Sequence, residues 1–214
     1  ESMRFKYREQ KKLLGSATYK MAKSGKYKYL SEILHLAPFN IGGVNICPNA
    51  SPICASVCLN TSGRGQQNSV QKSRLNKKYY FLSDRAKFLK QLDHEIKLSS
   101  ARAKRKKLNY TIRLNGTSDL PFERYKLDNG KNLMENNPDV QFIDYTKVKN
   151  RFKQKLPKNY SLTYSQAENN SNDVKELLKT KHNVAVVFRD KLPKKYKGRK
   201  VINGDKHDLR HLDP

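Results

Sequence analysis

Three cysteines near the amino end of the chain are the residues with the clearest chemical potential. Cys47, Cys54 and Cys58 are the only cysteines among 214 residues, and they fall within the segment CPNASPICASVC. An odd number of thiols, in a chain whose amino end carries no apolar secretion signal, argues against a disulfide framework. Three thiolates from one loop suit a soft or borderline metal, either as a Cys3His zinc site with His35 or as an iron–sulfur cluster with one open iron. The clustering of the three cysteines therefore predicts a metal or cluster site, with a redox pair plus a spare thiol, or three structural thiols, as the alternatives.

A large excess of positive charge indicates the class of partner or substrate that the protein binds. The chain has 45 lysines and arginines against 19 acidic residues, a formal net charge of +26. Cations that neutralise phosphates release condensed counterions, so this charge predicts nucleic acid as partner or substrate. The alternative is a biased composition with solvated charged faces. Further basic stretches occupy 149–158 and 191–200, but the densest run is Ala101–Lys107, and the predicted nucleic-acid contacts are Arg102, Lys104, Arg105, Lys106, Lys107 and Arg113.

No part of the sequence predicts a membrane partner. No window approaches the roughly 18 uninterrupted apolar residues of a spanning helix. The amino end Glu1–Lys12 is charged. We expect a cytoplasmic protein, and the sequence leaves its oligomeric state open.

Alternating short apolar runs and helical spacings predict the elements that position these residues. Runs rich in β-branched and aromatic residues predict six strands, at 29–36, 110–114, 140–143, 160–164, 184–188 and 200–202. One long helix is predicted over 69–98, with its lysines on a solvated face. Strands that alternate with helical connections favour parallel pairing. We therefore expect one α/β domain over 29–214, either a partial (βα)6-type barrel or an open parallel sheet, after a basic segment over 1–28.

Polar residues follow the predicted strands where a parallel sheet would bring their carboxyl ends together. The predicted catalytic residues are Asp119, Asp144, Lys147 and Glu168. The predicted cofactor-binding residues are Asn115, Gly116, Thr117, Ser118, Ser165 and Asp205. The alternative is that these are ordinary turn and cap residues.

Several short strings carry a resemblance to known proteins. CPNAS, CLNTSGRG, RLNGTSD, FIDYTK and LTYSQAEN together resemble a family of uncharacterised proteins encoded by bacteriophages and prophages, over most of the chain after Lys20. The resemblance implies a phage origin, and hence the cytoplasm of a bacterial host cell, but no reaction.

The order of strand, three-cysteine loop, helix and glycine-containing strand end is also similar to the radical S-adenosylmethionine superfamily. That likeness implies a [4Fe-4S] cluster on Cys47, Cys54 and Cys58. It also implies that Asn115–Asp119 binds the methionine part of S-adenosylmethionine.

Three functional hypotheses follow. The first is a phage iron–sulfur enzyme that acts on nucleic acid or nucleotides. The second is a nuclease or hydrolase in which Asp119, Asp144, Glu168 and Asp205 hold Mg2+ while the cysteines hold structural Zn2+. The third is a basic phage protein that binds nucleic acid without catalysis.

Overall fold

A six-stranded sheet organises the part of the chain that the computed structural model describes, which is 5–16, 28–56, 58, 60, 63–206 and 208–214. Its strands are β1 (Leu14–Ser16), β2 (Tyr29–Leu34), β3 (Asn109–Arg113), β4 (Gln141–Thr146), β5 (Tyr160–Ser165) and β6 (Val184–Ala185). A separate hairpin consists of β7 (Lys195–Tyr196) and β8 (Arg199–Lys200). The helices are α1 (Pro52–Ser56), α2 (Asn68–Ser83), α3 (Arg85–Arg105) and α4 (Ser171–Leu177). Single 3-10 turns occupy Gly63–Gln66, Phe122–Arg124, Lys149–Lys153 and Arg210–Leu212.

The strands lie in the sheet in the order in which they occur in the chain. β1 pairs antiparallel with β2, and each pair from β2 to β6 is parallel. The α/β class and the mostly parallel sheet predicted from the sequence are confirmed. The strand predicted at 200–202 is not part of this sheet, because Arg199–Lys200 pairs antiparallel with Lys195–Tyr196.

The long helix predicted over 69–98 is two helices. Asp84 interrupts it with a non-helical backbone (φ −145°, ψ 67°), and its side chain accepts a hydrogen bond from the Lys87 N–H (3.3 Å), which caps α3. The predicted apolar stripe continues through α3, where Leu89, Leu92 and Ile96 are buried. No helix in the described ranges is long and apolar enough to cross a membrane.

The two faces of the sheet differ in chemistry. Tyr110 and Ile112 of β3 pack with the buried side chains of α3 in the main apolar core. Thr111 alternates with them, is also buried, and its hydroxyl lies 2.7 Å from that of Ser31 on the neighbouring strand. Residues 208–210 near the carboxyl end are buried as well, and the His211 ring lies 3.0 Å from the Tyr29 hydroxyl on β2. One face is therefore covered by α3 and mainly apolar, and the other carries buried hydroxyls together with apolar side chains such as Ile33 and Ile143.

The described part of the segment predicted over 1–28 packs onto the domain. Phe5 stacks on Tyr79, and Tyr7 stacks on Tyr80, so this stretch lies along α2. Leu14 then enters the sheet opposite Leu34. Positions 1–4 and 17–27 lie outside the described residues.

A buried arginine joins the connections that follow β3 and β4. Arg151 is 1% exposed, and its guanidinium donates two hydrogen bonds to Glu123 (3.0 and 2.7 Å) and one to Asp119 (3.2 Å). It also donates to the Tyr160 hydroxyl at 2.7 Å. Paired and fork-like contacts of this kind compensate for the cost of burying the charge.

We expect Arg151→Met to lower the free energy of unfolding by about 3 kcal/mol, because it leaves the half-buried carboxylates Asp119 and Glu123 without their buried counterion. Urea denaturation measures this loss. Arg124→Met, at an exposed position in the neighbouring turn, is the matched control and should change stability little. Equal denaturation midpoints for the two variants would contradict the role of Arg151.

Candidate functional site

The loop that carries the cysteines follows β2, and a lysine on α2 holds it through hydrogen bonds to its backbone. The Lys78 ammonium on α2 donates to the carbonyls of Phe39 (2.8 Å) and Ile41 (2.7 Å). Lys78 is fully buried, so its predicted place on a solvated face is wrong. Gly42 lies against the same helix with φ +81°, and a Cβ atom there would be 2.6 Å from Leu75 Cδ1. This close packing fixes the loop on α2.

The three thiols lie in one neighbourhood. Cys47 Sγ donates to the Thr117 carbonyl (3.6 Å), Cys58 Sγ accepts from the Asn60 N–H (3.5 Å), and Cys54 lies on α1. All three are half-buried and none forms a disulfide. Burial raises the pKa of Cys47 to about 11, with smaller contributions from Asp119 and the other two cysteines, and burial also raises the pKa of Cys58. These two thiols are therefore protonated at neutral pH.

Two buried cations adjoin these thiols, and neither is paired with an acidic side chain of the described residues. Lys78 interacts electrostatically with Cys47, and Arg74 interacts with Cys58. Burial lowers the pKa of Lys78 to about 8 and also lowers the pKa of Arg74. The hydrogen bonds of both side chains go to neutral oxygens, since Arg74 donates to the Asn60 side chain (2.9 Å). Within the described chain neither cation forms an ion pair with a carboxylate, although Asp119 interacts electrostatically with Cys47.

The segment after β3 closes the site from the next strand. Gly116 N–H donates to the Leu34 carbonyl (3.0 Å), Thr117 Oγ1 donates to the Leu36 carbonyl (2.5 Å), and Asp119 N–H donates to the Ile46 carbonyl (3.0 Å). Asn115 Oδ1 accepts from Ser118 Oγ and from a backbone N–H, both at 2.8 Å. The backbone and short side chains of the predicted cofactor residues thus bind the segment after β3 to the cysteine loop.

Asp119 and Asp144 are engaged by the protein itself. Asp119 accepts from Thr146 Oγ1 (2.7 Å) and the Lys147 N–H (2.9 Å), in addition to Arg151. Asp144 is fully buried and accepts from the Asn115 backbone and side chain (2.9 and 3.2 Å) and from a tyrosine hydroxyl (2.7 Å). Burial raises the pKa of Asp144 to about 6. Both carboxylates hold the ends of β3 and β4 in place.

Lys147 and Glu168 reach the cysteine loop from β4 and β5. Glu168 accepts from Ser51 Oγ (2.7 Å) and the Ile53 N–H (3.2 Å), and the Ser51 contact lowers its pKa. The Lys147 ammonium donates to Ser165 Oγ (3.4 Å) and interacts electrostatically with both Cys58 and Glu168. These two predicted catalytic residues therefore do lie at the thiol site.

A cavity of about 510 Å³ opens beside Ser165. Its wall includes Tyr145 and Ser165 from β4 and β5, the predicted cofactor residue Asp205, and side chains of the β7–β8 hairpin. Arg113 packs over the ring of Tyr145 (5.0 Å), and its Nε is buried without a hydrogen-bond partner among the described residues. The site thus combines the thiol loop with a cavity at the same edge of the sheet.

The densest basic run lies elsewhere. Residues 102–107 end α3 and precede β3, so they lie at the amino edge of the sheet, opposite the thiols. Arg102 pairs with the buried Glu32 (3.6 Å) and Lys104 pairs with Asp139 (3.1 Å). Arg105, Lys106 and Lys107 are exposed. Of the predicted nucleic-acid contacts, only Arg113 is near the cavity.

The functional residues that sequence reasoning missed are Lys78, Arg74 and Arg151. Their only sequence signal is position, since Arg74 and Lys78 are four residues apart and share one face of α2. His35, the proposed histidine of a zinc site, lies against Gly116, and burial lowers its pKa to about 3. Among the described residues no three His, Cys, Asp or Glu side chains are already arranged to hold one metal ion.

A family model described as Gene product 88 matches residues 5–214. No curated protein and no solved structure matches the chain.

We expect Gly116→Ala to destabilise the protein by about 1–3 kcal/mol, because the new Cβ would lie 2.7 Å from the Leu34 carbonyl oxygen. Gly15→Ala is the control, since its Cβ would meet only the Ile33 carbonyl at an ordinary 3.8 Å. The free energies of unfolding of both variants, from urea denaturation, provide the comparison. A Gly116→Ala protein as stable as Gly15→Ala would refute the close approach.

Alkylation with iodoacetamide tests the protonation of Cys47. Because only the thiolate reacts, its rate should rise about tenfold per pH unit and continue to rise beyond the ordinary thiol pKa, up to about 11. Peptide mapping by mass spectrometry follows each cysteine, and the urea-denatured protein is the control in which all three react alike. A Cys47 rate that levels off at the ordinary pKa would contradict its burial.

Proposed function

Because the chain belongs to the gene product 88 family, we propose that it is a bacteriophage-encoded iron–sulfur enzyme that acts on nucleic acid or nucleotides. The observation that carries this proposal is the group of three thiols at the carboxyl edge of a parallel sheet, beside buried cations and an open cavity. In parallel α/β folds this edge is where ligands bind.

The charges around the thiols favour a metal over structural cysteines. Burying Lys78 and Arg74 next to neutral thiols is costly, because a buried cation needs a nearby negative charge. Thiolates that bind a metal supply that charge, whereas three protonated thiols do not. The N–H of Asn60, which donates to Cys58 Sγ, stabilises the same charged form. The donor set therefore fits a thiolate-bound centre.

The number and softness of the donors favour a cluster over a lone zinc ion. Cys47, Cys54 and Cys58 would hold a [4Fe-4S] cluster with one iron free for S-adenosylmethionine, and such a cluster supplies one-electron chemistry. A closed zinc site needs a fourth ligand. His35 is the candidate for that ligand, since its ring lies against Gly116 and its buried Nδ1 has no hydrogen-bond partner among the described residues, so metal analysis decides between the two centres.

The chain's own residues then have distinct roles. Lys147 lies between Cys58, Glu168 and Ser165, so it would balance the charge of the centre and orient a substrate in the adjoining cavity. Asp119 and Asp144 would position the strand ends. The sequential order of β2 to β6 is also consistent with a sheet that curves into a partial barrel around this cavity.

A magnesium-dependent nuclease receives less support. Asp119 and Asp144 already accept several protein hydrogen bonds, and Glu168 binds Ser51 and the α1 backbone. The absence of a ready three-ligand group in the described ranges applies to the cysteines as well as to these carboxylates, so the weight against magnesium lies in the protein hydrogen bonds that the carboxylates already accept.

Protein purified without oxygen should be brown and should contain iron and acid-labile sulfide, and it should bind S-adenosylmethionine only with the cluster present. The variant in which Cys47, Cys54 and Cys58 are all serine should be colourless and should retain neither iron nor cofactor binding. Elemental analysis and electron paramagnetic resonance of the reduced protein measure this. Ser56→Ala, an exposed change within the same loop, is the control that should keep the cluster.

Two results would contradict the proposal. One equivalent of zinc in a colourless protein would favour a structural zinc site. Full stability and activity of the cysteine-free variant, with no bound metal, would make the thiols structural.

A further inference from the structure

A second basic segment, which is not the densest in the sequence, borders the cavity. Residues 191–200 contain five lysines and one arginine and no acidic residue. They form the β7–β8 hairpin, which turns at Lys197 (φ +46°) and Gly198 (φ +82°), as in a type I′ turn. Lys194, Lys195, Lys197 and Lys200 are all exposed, and none has an ion-pair partner in the described chain.

Aromatic and apolar side chains accompany this charge. Tyr196 is half-buried in the cavity wall, packs edge-on against Phe188 (5.4 Å), and lies 5.2 Å below the Lys197 ammonium. Val187 is 92% exposed and Leu192 is 48% exposed beside it. Aromatic rings interleaved with cations match the faces and phosphates of unstacked nucleotides, whereas a duplex hides its base faces.

The hairpin is held in position at the site. The Tyr196 hydroxyl donates to Gln166 Oε1 (3.1 Å), directly after β5, and Arg199 donates to the carbonyls of Leu178 (3.2 Å) and Thr180 (2.8 Å). Arg199 is thus structural, while the lysines of the hairpin are exposed, and Lys200 lines the cavity. Ser165, the contact of Lys147, lines the same cavity.

From these contacts we propose that the β7–β8 hairpin binds single-stranded nucleic acid and places one unpaired base in the cavity beside Ser165. The lysines contact phosphates and Tyr196 stacks on a base. This inference names the form of the substrate and the path by which it reaches the cavity. Its link to the thiol centre rests on the proposed function. The binding itself requires no cluster.

The decisive experiment compares two variants that each lose three positive charges. Lys195→Gln, Lys197→Gln and Lys200→Gln together remove the hairpin charge, and Arg105→Gln, Lys106→Gln and Lys107→Gln together remove equal charge at the opposite edge. Fluorescence anisotropy with a labelled oligothymidylate, over a series of salt concentrations, measures binding. The hairpin variant should lose affinity, and its salt slope should fall by about 2, since each lost phosphate contact contributes about 0.7. The opposite-edge variant should stay close to the unaltered protein.

A second pair of variants tests stacking. Tyr196→Leu should weaken single-strand binding by about tenfold, whereas Tyr196→Phe, which loses only the hydroxyl contact with Gln166, should bind as the unaltered protein does. Circular dichroism confirms that each variant is folded. A duplex of the same length should bind more weakly and should not respond to Tyr196→Leu.

Several outcomes would overturn the inference. The first is unchanged affinity of the hairpin variant, and the second is a larger loss of affinity in the opposite-edge variant. The third is equal affinity for single strand and duplex that Tyr196→Leu does not change. Capture by phosphatidylserine vesicles without oligothymidylate binding would make the hairpin a membrane-binding element instead. Because anisotropy is measured equally well on cluster-free protein, failure here is distinct from absence of iron.

Discussion

The site is built around positive charge held in the interior, for which the described residues supply no directly paired carboxylate. Lys78 and Arg74 project from one face of α2 beneath the cysteine loop, and their hydrogen bonds go only to neutral oxygens of the described chain. Their neighbours are thiols that are neutral at physiological pH unless something displaces their protons. A metal ion that bound these thiols would displace their protons and convert them to thiolates. The thiolates would place negative charge beside Lys78 and Arg74. In the metal-bound form that we propose, metal affinity and folding stability would therefore be coupled through the same few side chains.

The sequence was informative where local pattern decides structure. Short β-branched runs correctly located β2 to β5, and the prediction that the thiols would share an edge with Lys147 and Glu168 agrees with the contacts of Ser51 and Cys58. Patterns of two or three residues were less reliable. Of the strand predicted at 200–202, Lys200 pairs in a hairpin with Lys195, which is only five residues away. The predicted long helix is divided because Asp84 interrupts the apolar stripe and caps the second helix.

Other features of the site depend on tertiary contacts that no spacing encodes. A lysine on α2 is ordinarily solvated, and Lys78 is buried only because the turn at Phe39–Ile41 folds over it. The sequence predicts Asp144 at a strand end, but β4 continues to Thr146, and the buried Asp144 carboxylate accepts hydrogen bonds from Asn115 and Tyr160. The density of a basic run is likewise a poor guide to where it acts. The run at 102–107 comes directly before β3 and therefore lies at the amino ends of the parallel strands. The run at 191–200 follows β6 and therefore lies beyond their carboxyl ends.

The last strand of the sheet also has a consequence for self-association. β6 is the last strand in the sheet order of the described residues, and it pairs through only Val184 and Ala185. An edge strand can accept a strand from a second copy of the chain. The lysines of the neighbouring hairpin would repel an identical, equally cationic molecule, so the charge that we assign to substrate capture would also disfavour such edge-to-edge pairing.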